Sequence, residues 1–127
     1  MTLQCSEKRK AKHLFHWKLA NGNKNVCLLV PPAPENVQAI RTGIDSIRIL
    51  WKPVAFDPLV GPIEGYKVYY RPVNSSLWSM AIVCGSCKSV DLKDLERYTS
   101  YQFRVAAFSV LGDGGFSPTF GVLEGNL

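Results

Sequence analysis

The stretch GPIEGYKVYYRP, residues 61–72, decides how this chain folds. Within it Tyr66, Val68 and Tyr70 alternate with Lys67, Tyr69 and Arg71, a period of two that lays one set on each face of a β-strand. Gly61 and Pro62 close a loop, Gly65 lets the backbone turn tightly, and Pro72 ends the strand because it has no amide hydrogen for the ladder. Tyr66, Val68 and Tyr70 are therefore expected on the inner face of a central strand, and Lys67, Tyr69 and Arg71 on its outer face.

The same alternation recurs on both sides of this stretch. Upstream, Val37 and Ala39 alternate with polar neighbours, as do Ile47, Ile49 and Trp51 with Ser46, Arg48 and Lys52. Downstream come Trp78, Met80 and Ile82, then Val90 and Leu92, then Tyr101, Phe103, Val105 and Ala107 against Gln102, Arg104 and Ala106. Clusters of Pro, Gly, Asn and Asp separate these segments, and no interval is long enough for a crossover helix. The pattern predicts an antiparallel all-β sandwich.

Five stretches in order carry a family likeness: PPAPENV (31–37), IRILWKP (47–53), GPIEGYKVYYRP (61–72), LKDLERYTSYQFRVAAFS (92–109) and LGDGGFSP (111–118). From residue 31 to about residue 124 the chain resembles the fibronectin type III module. The resemblance implies a seven-stranded antiparallel immunoglobulin-like sandwich. The stretches then read as the start of strand A, strand B, the B–C loop with strand C, the E–F corner with strand F, and the F–G turn opening strand G. It further implies a structural core of Trp51, Tyr66, Leu95 and Tyr101, with Leu95 plugging the bottom and the Tyr101 phenol bonded to main chain near the preceding corner. Two features depart from the family pattern: Glu96 and Arg97 stand where proline or glycine is usual, and the CGSC of residues 84–87 is not a hallmark. Adhesive members can carry an RGD tripeptide in the F–G loop; here Leu111, Gly112 and Asp113 stand there without the arginine, so integrin binding by that route is not implied. Residues 116–120, FSPTF, are at most an echo of the WSXWS motif of class I cytokine receptors and are read as strand G.

Charge divides the chain. The formal net charge of +5 over 127 residues resides wholly in residues 1–30, where Lys8, Arg9, Lys10, Lys12, Lys18 and Lys24 face only Glu7. Residues 31–127 hold nine basic and nine acidic side chains, so the main domain lacks the basic field that nucleic acid requires. Residues 1–30 read as a flexible basic leader of low order, hinged at VPPAP to a single domain of residues 31–127. The run EKRKAKH (7–13) is a solvated charge run first, and a nuclear address or a contact for sulfated polysaccharide second. No stretch matches a secretory signal or a membrane span, so an extracellular protein would draw its export signal from elsewhere.

Catalytic chemistry is not signalled. Both histidines, His13 and His16, lie in the leader, Asp91 and Asp94 read as turn residues, and GDGGFS opens no helix on which to cradle a phosphate. No catalytic, cofactor-binding or metal-binding residues are assigned. For Cys84 and Cys87, a redox pair would need a strand running into a helix start, and a zinc site would need ligands such as Cys5 or Cys27 from the leader. A disulfide across a turn and two inert thiols remain, and the sequence does not choose between them. Asn74, Ser75 and Ser76 form an acceptor triplet for N-glycosylation in a turn.

The expected function is a noncatalytic protein-binding or spacer module of a longer cell-surface receptor or adhesion protein, with a protein or neighbouring domains of the same type as partner. The alternative is a structural bead, or an intracellular scaffold module without a ligand of its own. Candidate contacts are Phe56, Asp57, Leu59 and Val60 in the B–C loop, Leu111, Asp113 and Phe116 around the F–G turn, and Tyr69 and Arg71 on strand C. Phe56, Leu59 and Val60 form either an exposed apolar patch or a flap folded over the sandwich end.

Overall fold

The computed structural model describes residues 15–20 and 24–122, with side chains described for residues 29–121. Ten strands and no helix occur among the described residues. One sheet orders β3 (Glu35–Gly43), β4 (Ser46–Lys52) and β7 (Ser89–Leu92). The other contains β5 (Gly65–Pro72), β6 (Ser79–Cys84), β8 (Tyr101–Ser109), β9 (Gly112–Phe116) and β10 (Phe120–Val122), in the order β10-β8-β5-β6 with β9 also paired to β8. All pairings are antiparallel, and the expected sandwich is borne out.

Alternation builds the core. Ile47, Ile49, Trp51 and Leu92 of the first sheet meet Tyr66, Val68, Tyr101, Phe103, Val105 and Ala107 of the second, and Leu95 closes the cluster. The Trp51 and Tyr66 rings lie 5.1 Å apart at 45°, and the Tyr66 hydroxyl accepts the Val54 amide at 2.9 Å. A buried phenol is tolerated because its polar end finds a partner.

The sandwich has eight strands rather than seven because strand G is split into β9 and β10. Pro118 interrupts it, having no amide to donate. Ser117 repairs the gap: its amide donates to the Val105 carbonyl at 2.8 Å, and its Oγ accepts the Val105 amide at 2.9 Å. Both backbone groups of Val105 are thus satisfied, and pairing resumes at Phe120 opposite Phe103.

In β6 the outer face differs from the simplest reading of the alternation. Tyr66 pairs with Val83 and Val68 with Ala81, so Ala81 and Val83 pack on the core while Met80 and Ile82 are exposed. Both faces of this strand are apolar, and periodicity alone does not say which is inside; the register with β5 does.

Upstream, β1 (Phe15–Ala20) and β2 (Lys24–Leu29) pair as an antiparallel hairpin, where the sequence reading expected low order. Leu29 and Val30 are buried, the Leu29 amide donates to the Leu59 carbonyl at 3.1 Å, and Leu29 clusters with Val60. The basic run of residues 7–13 and the histidine at 13 lie outside the described residues.

At the corner before β8, the Leu95 amide donates to the Asp45 carbonyl at 2.9 Å, and the Glu96 amide donates to the Tyr101 hydroxyl at 2.8 Å. The phenol oxygen therefore accepts from the corner. Without proline or glycine, the corner uses Asp94 and Tyr98 in left-handed conformations, at φ 59° and 55°. Tyr101→Phe is expected to lower stability by about 1–2 kcal/mol, because it strips the Glu96 amide of its acceptor while keeping the ring. An unchanged urea midpoint would show that the corner does not depend on this bond.

The two ends of the sandwich carry different loops. Gly65 pairs with both Cys84 and Phe108, and Glu35 with Lys52, so the 53–64 loop, the 85–88 turn and the β8–β9 turn share one pole. Pro72 pairs with Tyr101, and the Val73 amide donates to the Ser100 carbonyl at 3.0 Å. The 73–78 turn and the 93–100 corner therefore share the opposite pole.

Candidate functional site

Register in the larger sheet sets Tyr69 opposite Arg104 on β8 and opposite Met80 on β6, while Ala106 meets Phe116 of β9. Outward-facing side chains from four segments consequently converge on one face. The Arg104 guanidinium carbon sits 4.1 Å from the Phe116 ring centroid, 4.5 Å from that of Trp78 and 5.6 Å from that of Tyr69. Arg71 stacks over Trp78 at 4.5 Å, and its Nε donates to the Gln102 Oε1 at 3.0 Å. Tyr69 and Phe116 meet edge to face, 5.2 Å apart at 83°.

The ladder ends in an ion pair. Lys67 Nζ lies 2.9 Å from the Asp113 Oδ1 and 3.0 Å from its Oδ2, and 5.3 Å from the Phe108 ring centroid. The hydrogen bond to Asp113 raises the Lys67 ammonium above its ordinary value of 10.5. The sign follows: this contribution is complete below the ordinary lysine range and is lost only as pH rises through the raised value.

Each cation–aromatic contact is worth about 0.5–1 kcal/mol when exposed and up to about 2 when desolvated. Arg104 depends on them most, because its Nε is buried without a hydrogen-bond partner. The consequence is an interlocked array of rings and guanidinium groups, in which each of the two arginines touches at least one ring. Stacked arginines keep in-plane N–H donors suited to a carboxylate, while the rings supply apolar contact area.

Of the residues singled out from the sequence, Tyr69, Arg71, Asp113 and Phe116 come together here. Leu111 does not join them; it is half-buried in the β8–β9 turn, its amide held by the Ser109 Oγ at 3.1 Å. The B–C loop lies at the pole and is mostly tied down. Asp57 Oδ1 accepts the Leu59 amide at 2.9 Å, and the Asp57 carbonyl accepts those of Val60 and Gly61 at 2.9 and 2.8 Å. Val60, at 3% exposure, is buried on Leu29, which removes it as a contact and corrects the three-residue apolar patch. Leu59 is half-buried, and Phe56 stands out at 69% exposure. Phe56 also lines a shallow cleft of about 300 Å³ with Pro32, Lys52 and Val54.

Sequence reasoning did not single out Lys67, Trp78, Arg104 or Phe108 as site residues. Periodicity placed Arg104 outward, but only the pairing of strands more than thirty positions apart in sequence sets it opposite Tyr69. Trp51, Tyr66, Leu95 and Tyr101 are buried in the core, and Asn74 is exposed on the 73–78 turn. The Cys84 and Cys87 sulfurs are bonded, with Cα atoms 5.2 Å apart. Among the described residues, no three His, Cys, Asp or Glu side chains converge as metal ligands would, and no helix is long and apolar enough to cross a membrane.

Comparison with known proteins agrees with this architecture. The cell adhesion molecule DSCAM of Rattus norvegicus is 39% identical over 83 residues, covering 64% of this chain and 4% of that protein. The human netrin receptor DCC is 34% identical over 87 residues, covering 68% of this chain and 6% of that protein. The chain thus spans only a small part of the length of the curated relatives it matches. The solution structure of the third fibronectin III domain of human KIAA0343 protein superposes with a TM-score of 0.69 at 24% identity, covering 75% of this chain and 82% of that one. A family model described as the fibronectin type III domain matches residues 32–121, and the chain belongs to that family.

Proposed function

We propose that this chain supplies a noncatalytic recognition module of a longer cell-surface receptor or adhesion protein, and that the outer face of the β10-β8-β5-β6 sheet is its contact surface for a protein partner. The observation that carries the reading is Arg104 over both the Phe116 and Trp78 rings, at 4.1 and 4.5 Å, with Arg71 also 4.5 Å from the indole centroid. Tryptophan, tyrosine and arginine are the residue types that dominate binding energy at interfaces, and here they are ordered in advance, which reduces the entropy lost on docking. The cell-surface setting is supported by the adhesion molecule and netrin receptor among the relatives and by the bonded Cys84–Cys87 pair, which an oxidising compartment maintains.

The test is a binding screen of the purified chain against an array of cell-surface ectodomains. A retained ectodomain is expected to bind the double variant Arg71→Glu, Phe116→Ala at least tenfold more weakly. Phe56→Ser, at the pole, is expected to leave binding unchanged. Circular dichroism and an unfolding curve on each variant establish that the fold persists. Equal binding by a folded double variant would rule this face out; no binding by the parent chain would favour a spacer role.

A further inference from the structure

We propose that Asn74 carries an N-linked oligosaccharide, and that this sugar screens the open edge of β6; the proposal rests on the cell-surface reading above. Asn74 and Ser76 are both exposed on the 73–78 turn, outside any strand. The turn is held by other groups: the Ser75 amide donates to the Pro72 carbonyl at 3.0 Å, and the Leu77 amide to the Ser75 Oγ at 3.1 Å. Neither the Asn74 carboxamide nor the Ser76 hydroxyl takes part in these bonds, so both halves of the acceptor triplet are free for a transferase. In the transfer, the Asn74 amide nitrogen bonds to the anomeric carbon of an oligosaccharide donated by a polyprenyl diphosphate. The carbon–oxygen bond to the diphosphate breaks, the polyprenyl diphosphate departs with its electron pair, and the amide proton passes to a base of the transferase.

The edge beside this turn explains what the sugar would do. β6 pairs with β5 on one side only, and its sequence SMAIVC has neither charge nor proline. Met80 and Ile82 stand 44% and 57% exposed on it, and Leu77, two residues before it, is 78% exposed. Open edges in soluble proteins are ordinarily blunted by lysine, proline or a bulge, and an uncharged apolar edge invites pairing with a second strand. Asn74 lies five positions before Ser79, where a bulky, hydrated group covers the approach to a strand about 20 Å long.

The experiment uses the chain secreted from mammalian cells behind an added export signal. Treatment with an amidase specific for N-linked sugars is expected to remove the mass of one oligosaccharide. Asn74→Gln and Ser76→Ala are each expected to abolish that loss, and Ser76→Thr to preserve it. Unchanged mass in the parent chain would overturn the site. Asn74→Gln is then expected to self-associate in sedimentation velocity as concentration rises, and adding Ile82→Lys to return it to monomer; a folded Asn74→Gln chain that stays monomeric would overturn the screening role. Labelling of the native protein on intact cells with a membrane-impermeant reagent reports its location separately. Surface-labelled protein without sugar would therefore sink this proposal and leave the cell-surface reading standing.

Discussion

Trp51→Ala is expected to lower the unfolding free energy by about 3–5 kcal/mol, comparable with the whole stability of many single domains. The indole is 4% exposed, packs against Tyr66 at a 45° tilt and lies among Ile49, Val68 and the other residues that join the two sheets. Its removal leaves a cavity that the strands cannot close without breaking register, so the lost transfer energy and the cavity term add. Chemical denaturation followed by circular dichroism checks this. Should the alanine variant fail to fold, Trp51→Phe offers a smaller cavity and a measurable midpoint. Trp78→Ala serves as the contrast: that ring is half-exposed on the outer face, and its loss is expected to cost roughly 1–2 kcal/mol of stacking on Arg71 and Arg104. Equal losses at the two positions would contradict the assignment of inside and outside.

Gly114→Ala is the second large effect, expected at about 2–3 kcal/mol, and it arises from crowding. Gly114 is buried in β9, where a Cβ would fall on the Pro31 carbonyl and within 3.2 Å of the Ala107 carbonyl. Both obstacles are backbone, so neither can rotate away; either β9 leaves β8 or the segment at residues 29–31 shifts off the domain. The adjacent Gly115 is the control, since the nearest atom to a Cβ there is the Ala33 Cβ at 4.0 Å, an ordinary contact. Thermal melting of Gly114→Ala and Gly115→Ala side by side should separate them clearly. Matching melting temperatures would mean that residues 29–31 do not pack on β9 as described.

The two results bear on function through the same scaffold. Trp51 fixes the layer beneath β5, and β9 carries Phe116 and Asp113, so the outer ladder inherits its geometry from contacts on the far side of the sheet. A variant that loosens β9 is therefore expected to weaken any partner that binds the face, even though Gly114 itself is buried.

Much of this was present in local periodicity. Alternation in residues 47–51, 66–70 and 101–107 determined the strands, their inner faces and hence the sandwich, because a strand places successive side chains on opposite sides whatever it pairs with. The tertiary structure decided what periodicity leaves open. Strand register turned Met80 and Ile82 outward and set Tyr69 beside Arg104; packing sealed Val60 beneath Leu29; and Ser117 kept both backbone groups of Val105 satisfied where Pro118 splits strand G. Each depends on residues far apart in the chain whose meeting is a property of two strands or two layers together, and no local window contains both partners.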